Sequence, residues 1–477
     1  MNVPSFEFLG FATVVAALIN ISNAAPWRRS ILLLANIGFV LTFTHSPLQL
    51  VPFGGLLVLG YAGMKLVEVH KNKAVFIVLL AALIFLFCLL KQYTFVPHAL
   101  FLQIVYFTVG MSYVFFRVLH LVIDAYQDAL PDRVGLLSYA NYTLNFTSLV
   151  SGPIQLYPDY LRTESVQPAA LDQAAVGRAL ERIVAGFFKV SVLSPLLFYA
   201  QTVVVHALTP HLSPAQRVVD GALVLSIFPV YVYINFSGYM DFVIGTARFL
   251  RLELPENFNR PFIATSFIEF WGRWHMTLSN WLKTYVYSPL LLSLMRRFPS
   301  RSAEPYLGVF VYFVTFFLIG LWHGRTSMFV VFGVLLGLGV SVNKLHQILL
   351  TQLLGAARYR ALRANSFYAA ASRGLTFWWF AFAMLWFWSS WVQLAEFARI
   401  LGAPAVLLAT GLVLSSAALL LTGLKYLEES WLTLTGAGSP LASRYVRAAW
   451  CTTLAVVVVS VAVILNAPSA HIVYKAF

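Results

Sequence analysis

Two histidines stand where an apolar chain pays most for a titratable group. His323 lies in GLWHGRTSMF at 320–329, at the junction of two apolar runs and flanked by Gly320, Trp322 and Gly324. His275 lies in FIEFWGRWHMTLSNWLKTYVYSPL, where Trp271, Trp274 and Trp281 are interleaved with Arg273, Thr277, Ser279, Asn280 and Lys283. Ionisable side chains are rare inside membranes and mark functional paths when they occur. Desolvation favours the neutral imidazole, the form that accepts a proton near pH 7. Such a base, within hydrogen-bonding reach of a hydroxyl, activates it against an acyl carbonyl. The negative charge that develops needs donors, and Trp271, Trp274, Asn280 or backbone N–H groups could supply them. The chemistry these residue types suggest is acyl transfer by acid/base catalysis.

Other chemistries lack their signatures. There is no H-x-x-x-H or H-E-x-x-H pair, so no zinc site is expected. No G-x-S-x-G elbow or phosphate-binding loop is present either. Cys88 and Cys451 sit in apolar runs and imply neither a disulfide framework nor a cysteine-based metal site. His120, in FFRVLHLVID with Arg117 and Asp124 at i−3 and i+4, reads as a satisfied core partner. Bland readings exist for the two leading histidines as well. Tryptophans gather at headgroup depth, and a lone histidine near a helix end is often an interfacial donor. Two histidines in two separately anomalous segments favour chemistry over both.

The elements that must hold these residues follow from composition. Hydrophobic residues make up 60% of the 477 and charged residues 10%, where soluble domains carry roughly a quarter. Apolar side chains must then face lipid as well as core. The expected fold is an all-α polytopic membrane protein in one domain over 1–477, with N-terminal helices in 1–130, a core near 140–345 and C-terminal helices in 375–466. Runs of spanning length lie near 6–24, 30–46, 48–66, 74–90, 99–123, 183–208, 219–245, 306–322, 326–343, 375–398, 400–424 and 447–466. With a shorter stretch at 134–150, about eleven to thirteen membrane helices are expected.

The net charge of +14 is spread between the apolar runs, at Arg28–Arg29, Lys71–Lys73, Arg296–Arg297–Arg301, Arg358–Arg360–Arg363–Arg373 and Arg444–Arg447. That is the positive-inside pattern, and no nucleic-acid partner is expected. It places the N-terminus and the tail HIVYKAF outside. The opening MNVPSFEFLGFATVVAALI has no basic n-region and reads as a retained first span. The polar stretches 156–182 and about 344–374 read as aqueous loops, the first entering a helix with an Arg178–Arg182 face.

The polar anomaly begins before His275. In YINFSGYMDFVIGTARFL, Asn235, Ser237, Gly238 and Asp241 interrupt an apolar run. In RLELPENFNRPF, Pro255 and Pro261 bracket Glu256, Asn257, Asn259 and Arg260. From 271 the spacing suggests an interfacial or re-entrant helix, with Trp271, Trp274 and Leu278 on one face and His275 beside Ser279. Glycines around His323 suit a ligand path beside the imidazole.

At these residues the chain resembles the membrane-bound O-acyltransferase (MBOAT) family. Five blocks in family order carry the resemblance: SGPIQLYPDY (151–160), NFSGYMDFVIG (235–245), PENFNRPF (255–262), WGRWHMTLSNWLKTYVY (271–287) and GLWHG (320–324). The resemblance implies a ring of tilted helices, some re-entrant or interfacial, around a central tunnel. It also implies His323 as the catalytic base with His275 as its companion. Trp271, Arg273, Trp274, Ser279, Asn280, Asn257, Trp322 and Asp241 are the expected substrate contacts. No bound cofactor is implied. The donor would be an acyl thioester, acetyl-CoA or a carrier-borne phosphopantetheine, entering from the cytoplasmic side.

Among subtypes the chain falls between the alginate-acetylating and the D-alanyl-transferring kinds. SPLLLSLMRRF after Lys283–Tyr287, and SGPI at 151–154, lean to the second, and Thr284 stands where the R-D-Y stretch has an acid. The expected reaction is transfer of an acyl group, acetyl first, to a hydroxyl of an extracytoplasmic polysaccharide or relay protein. The alternative is D-alanyl transfer to an envelope polymer from a small acyl-carrier protein, for which the basic Arg296–Arg301 segment is a candidate docking surface. A glycan or lipid transporter is the reading from another class, and the lack of a duplicated motif counts against it. The expected partners are membrane lipid, the donor or its carrier, and a periplasmic or extracellular acceptor. The expected location is the bacterial cytoplasmic (inner) membrane.

Overall fold

A computed structural model of the chain describes residues 1–165, 171–434 and 443–465. The tail HIVYKAF lies outside the described residues, as does part of the 156–182 stretch. Among the described residues the regular structure is helical throughout, and eight segments are long and apolar enough to cross a membrane. The protein is an all-α, multi-pass membrane protein. Only 22% of the apolar window in Lys73–Leu90 is buried inside the chain. The rest of that helix is saturated in its own backbone hydrogen bonds and can face lipid.

The chain forms two compact units. The first comprises Met1–Ser191, Phe236–Glu256 and the chain from Val457. Its helices begin where side chains cap free backbone N–H groups: Ser5 accepts from Phe8, and Asn72 accepts from Ala74 and Val75. Its polar core sits on the helix Met111–Tyr126. The buried Arg117 guanidinium donates to the carbonyls of Tyr142, Thr143 and Ser148 and to the Ser148 hydroxyl. The first two carbonyls end the helix Leu136–Thr143, so the cation caps a helix C-terminus. His120, three residues on, faces Asp124 through Nδ1 at 3.0 Å and accepts the Tyr157 N–H on Nε2 at 2.9 Å.

In the same unit the 237–245 block packs a helix closely. A Cβ added at Gly238 would lie 2.6 Å from Lys189 Cβ, and one at Gly186 would lie 2.6 Å from the Gly238 carbonyl oxygen. Small residues let these backbones approach. The second unit comprises Val192–Asn235 and Asn257–Val456. The helices Glu304–His323 and Ser327–Leu354 meet there through glycines. A Cβ on Gly320 would fall 2.1 Å from the Gly333 Cα.

Several expectations change. The run 99–123 is α-helical only from Met111, after the short 3-10 turn His98–Leu100, and 134–150 holds just the eight-residue Leu136–Thr143. The 344–374 stretch is not a loop but largely helix: Ser327–Leu354, then Ala356–Ala364, then Ser366–Trp388. Its residues are good helix formers, rich in Ala, Leu and Arg. The interface helix expected through His275 is broken into Phe267–Trp271 and Met276–Leu282.

Candidate active site

The break at His275 has a specific construction. His275 adopts a left-handed backbone, φ 44° and ψ 50°, as the residue preceding Met276–Leu282. That conformation costs a non-glycine residue roughly 1–2 kcal/mol, so surrounding contacts must impose it. They come from the 255–262 segment. The Met276 N–H donates to the Asn257 carbonyl at 3.0 Å, and the Asn259 N–H donates to the Arg273 carbonyl at 2.9 Å. The Asn257 side chain completes the clamp. Its Oδ1 accepts from the Thr277 N–H (3.1 Å) and hydroxyl (2.8 Å), and lies 3.2 Å from His275 Nδ1. Asn257 is fully buried and His275 is 1% exposed.

His323 is the last residue of Glu304–His323 and is also buried. The Trp322 ring packs near both imidazoles, its centroid 4.7 Å from that of His323 and 6.4 Å from that of His275. His323 also meets the rings of Phe387 (5.3 Å) and Phe332 (5.8 Å) edge-on. Burial, with the nearby His323 adding to it, holds His275 well below its ordinary value, so it stands neutral outside the spanning helices. Two imidazoles and an indole in an aromatic shell can move a proton, and they bring no fixed charge of their own.

The remaining expected contacts divide. Trp271 is buried against Phe316, and its indole N–H has no acceptor among the described residues. It is therefore a donor in hand. Trp274 packs among Phe270, Phe258 and Phe380 as an aromatic core residue. Arg273 pairs with Glu269 and reaches the Asn259 carbonyl. Ser279 is half-buried with its hydroxyl 3.5 Å from the Trp274 carbonyl, and Asn280 is exposed. Asp241 belongs to the first unit, where Arg182 and Lys189 both donate to it and Arg182 also pairs with Glu256. The Arg178–Arg182 face read from the sequence contributes Arg182 to this cluster.

Gly320 and Gly324 both pack closely against other parts of the chain. Gly320 serves the contact with Gly333, and a Cβ on Gly324 would fall 2.1 Å from the Phe329 ring. Sequence reasoning named Thr277 without giving it a role, and missed Phe332 and Phe387. Thr277 was visible two residues from His275, but its hydrogen bonds to Asn257 span twenty positions. Phe332 and Phe387 are two aromatics among forty phenylalanines, and nothing local singled them out.

A buried imidazole pair in a multi-pass helical membrane protein defines the general class. A family model then defines the lineage: residues 61–385 match the membrane-bound O-acyltransferase family, and the chain belongs to it. The chain is similar to the teichoic acid D-alanyltransferase of Bacillus subtilis (strain 168), 26% identical over 47% of this chain and 55% of that protein. It is similar to a Pseudomonas aeruginosa protein named "Probable alginate O-acetylase AlgI", 29% identical over 50% of this chain and 42% of that protein. It is also similar to the peptidoglycan O-acetyltransferase of Helicobacter pylori (strain ATCC 700392 / 26695), 32% identical over 44% and 37% respectively. The chain spans about half the length of the curated relatives it matches.

Proposed function

We propose that this chain is a membrane-embedded O-acyltransferase with His323 as general base. One observation carries the reading: a buried imidazole ends a spanning helix, and the neighbouring Trp322 indole packs near both it and a second buried imidazole. In the proposed step His323 takes the proton of an acceptor hydroxyl, whose oxygen forms a bond to the carbonyl carbon of an acyl thioester. The C–S bond breaks, and the leaving thiolate receives the proton from the imidazolium. Negative charge on the acyl oxygen needs a donor, and the buried Trp271 N–H is suited to that task.

The donor is an acyl thioester, acetyl-CoA or carrier-borne phosphopantetheine, at the cytoplasmic face. The acceptor is a hydroxyl of an extracytoplasmic glycan or relay protein, and the location is a bacterial cytoplasmic membrane. Acetyl is the first choice, since two of the three relatives above are named for acetylation. The name of the third supports D-alanyl transfer as the competing reading.

The test is mass spectrometry of envelope glycans from cells carrying wild type or His323→Ala at equal protein level. Loss of an acetyl ester is expected. Loss of an alanyl ester instead moves the donor assignment to D-alanine. Intact esters overturn the proposal, and intact esters with altered glycan export favour a transporter.

A further inference from the structure

Asn257 was expected as a substrate contact, but its geometry gives it a different task. A backbone N–H can only donate, so the Asn257 atom facing the Thr277 N–H is the amide oxygen and not the nitrogen. The orientation of this amide, ambiguous in many proteins, is thereby fixed. That same oxygen lies 3.2 Å from His275 Nδ1. An amide oxygen cannot donate, so the hydrogen between them belongs to Nδ1. A neutral imidazole carries one N–H, which leaves the lone pair on Nε2.

We propose that Asn257 is a positioning residue that holds His275 as its Nδ1–H tautomer, so that His275 serves the site through Nε2 as a hydrogen-bond acceptor. The proposal rests on the acyl-transfer reading and adds to it. As companion to His323, His275 could orient either the acceptor or the thioester. An Nε2 lone pair serves only the first, because it repels a developing oxyanion and attracts an O–H. With His323 deprotonating the reacting hydroxyl, His275 holds a neighbouring hydroxyl, which fits a polyhydroxyl acceptor. A neutral amide suits this role better than a carboxylate. Both would orient the ring, but a carboxylate would favour the imidazolium and fill Nε2 with a proton. The titratable group whose charge reaches His275 is His323, so the pair also avoids two adjacent cations.

The primary test needs no substrate. Full-length protein labelled with 15N-histidine in lipid vesicles is studied by solid-state NMR, where the two neutral tautomers give distinct nitrogen shifts. The His275 signals are assigned by their loss in His275→Gln. At a pH high enough that the ring is neutral, the expected result is the Nδ1–H form in wild type and in Asn257→Asp, with a mixture or the Nε2–H form in Asn257→Ala. A wild-type Nε2–H form overturns the proposal.

Acyl transfer in membrane vesicles supplies the second readout. Asn257→Ala should lower it roughly ten- to a hundredfold, as loss of an outer partner does for histidines that bind metals. Asn257→Asp should keep activity at high pH. Its acid limb should move up by roughly one pH unit, because the carboxylate raises the basicity of the ring that must be neutral. Wild-type activity and pH profile in both variants overturn the positioning role. The two failures are separable: intact esters in His323→Ala sink the acyl-transfer reading whatever tautomer His275 shows.

Discussion

His120 and His275 are both sealed from solvent, and their surroundings are opposite in kind. His120 has the Asp124 carboxylate on one nitrogen and the Tyr157 backbone N–H on the other. Both nitrogens are engaged by the chain itself, and any proton exchange would break a buried hydrogen bond. His275 is oriented on one nitrogen by a neutral amide, and its ring adjoins Trp322, which also packs against His323. The neighbours differ too: tyrosine and a carboxylate around His120, phenylalanine and tryptophan around His323. Burial alone therefore does not separate a structural histidine from one proposed to work. What separates them is how the chain uses the two ring nitrogens.

The largest effect that follows is kinetic. His323→Ala should lower acyl transfer by roughly 10²–10⁴-fold, the range of a general base, a loss of activity per folded molecule much larger than the cavity it leaves costs in stability. His120→Ala should do the reverse. It removes the contact with Asp124 and leaves the Tyr157 N–H without its acceptor, which costs about 1–3 kcal/mol, the usual penalty for a buried unsatisfied group. Melting in detergent should fall by several degrees while activity per folded molecule is kept. If His120→Ala instead silenced folded protein, the contrast between the two histidines would be lost.

Both histidines were legible in the sequence, and for the same reason: each interrupts an apolar run. The sorting between them was also partly legible, since Asp124 is one helical turn from His120 and local spacing shows it. The clamp on His275 was not. Asn257 acts across eighteen positions, and helical spacing through 271–282 suggested one continuous helix. The left-handed turn that breaks it is imposed by long-range hydrogen bonds that no periodicity encodes. The same limit misassigned the 344–374 stretch, where charge read as loop and helix-forming residues decided otherwise. Multi-pass helical architecture needed only composition and run length, which are local properties, and it was read correctly.

A smaller effect tests whether the position of His323 depends on the glycine contact three residues before it. Gly320→Ala would place a Cβ within 2.1 Å of Gly333 Cα, so the two helices must separate. Overpacking of this kind costs about 1–3 kcal/mol. Because His323 ends the same helix, activity should drop along with stability, unlike in His120→Ala. A variant that melts earlier yet transfers acyl groups normally would show that His323 is held by its aromatic neighbours instead.

The smallest expected effect falls on Asn280, which the sequence offered as an oxyanion donor. The structure leaves Asn280 exposed, whereas Trp271 is buried with an unspent N–H. A hydrogen bond aimed at developing charge is worth most where water is excluded, so the donor role fits the indole and not the amide. Asn280→Ala should change stability by no more than about 0.5 kcal/mol, as surface substitutions do, and should leave acyl transfer within about twofold of wild type. Trp271→Phe, which keeps the packing against Phe316 and removes only the N–H, should cost more in kcat than in KM. A large kcat loss in Asn280→Ala beside a silent Trp271→Phe would reverse the assignment and place the exposed side of Met276–Leu282 against the reacting carbonyl.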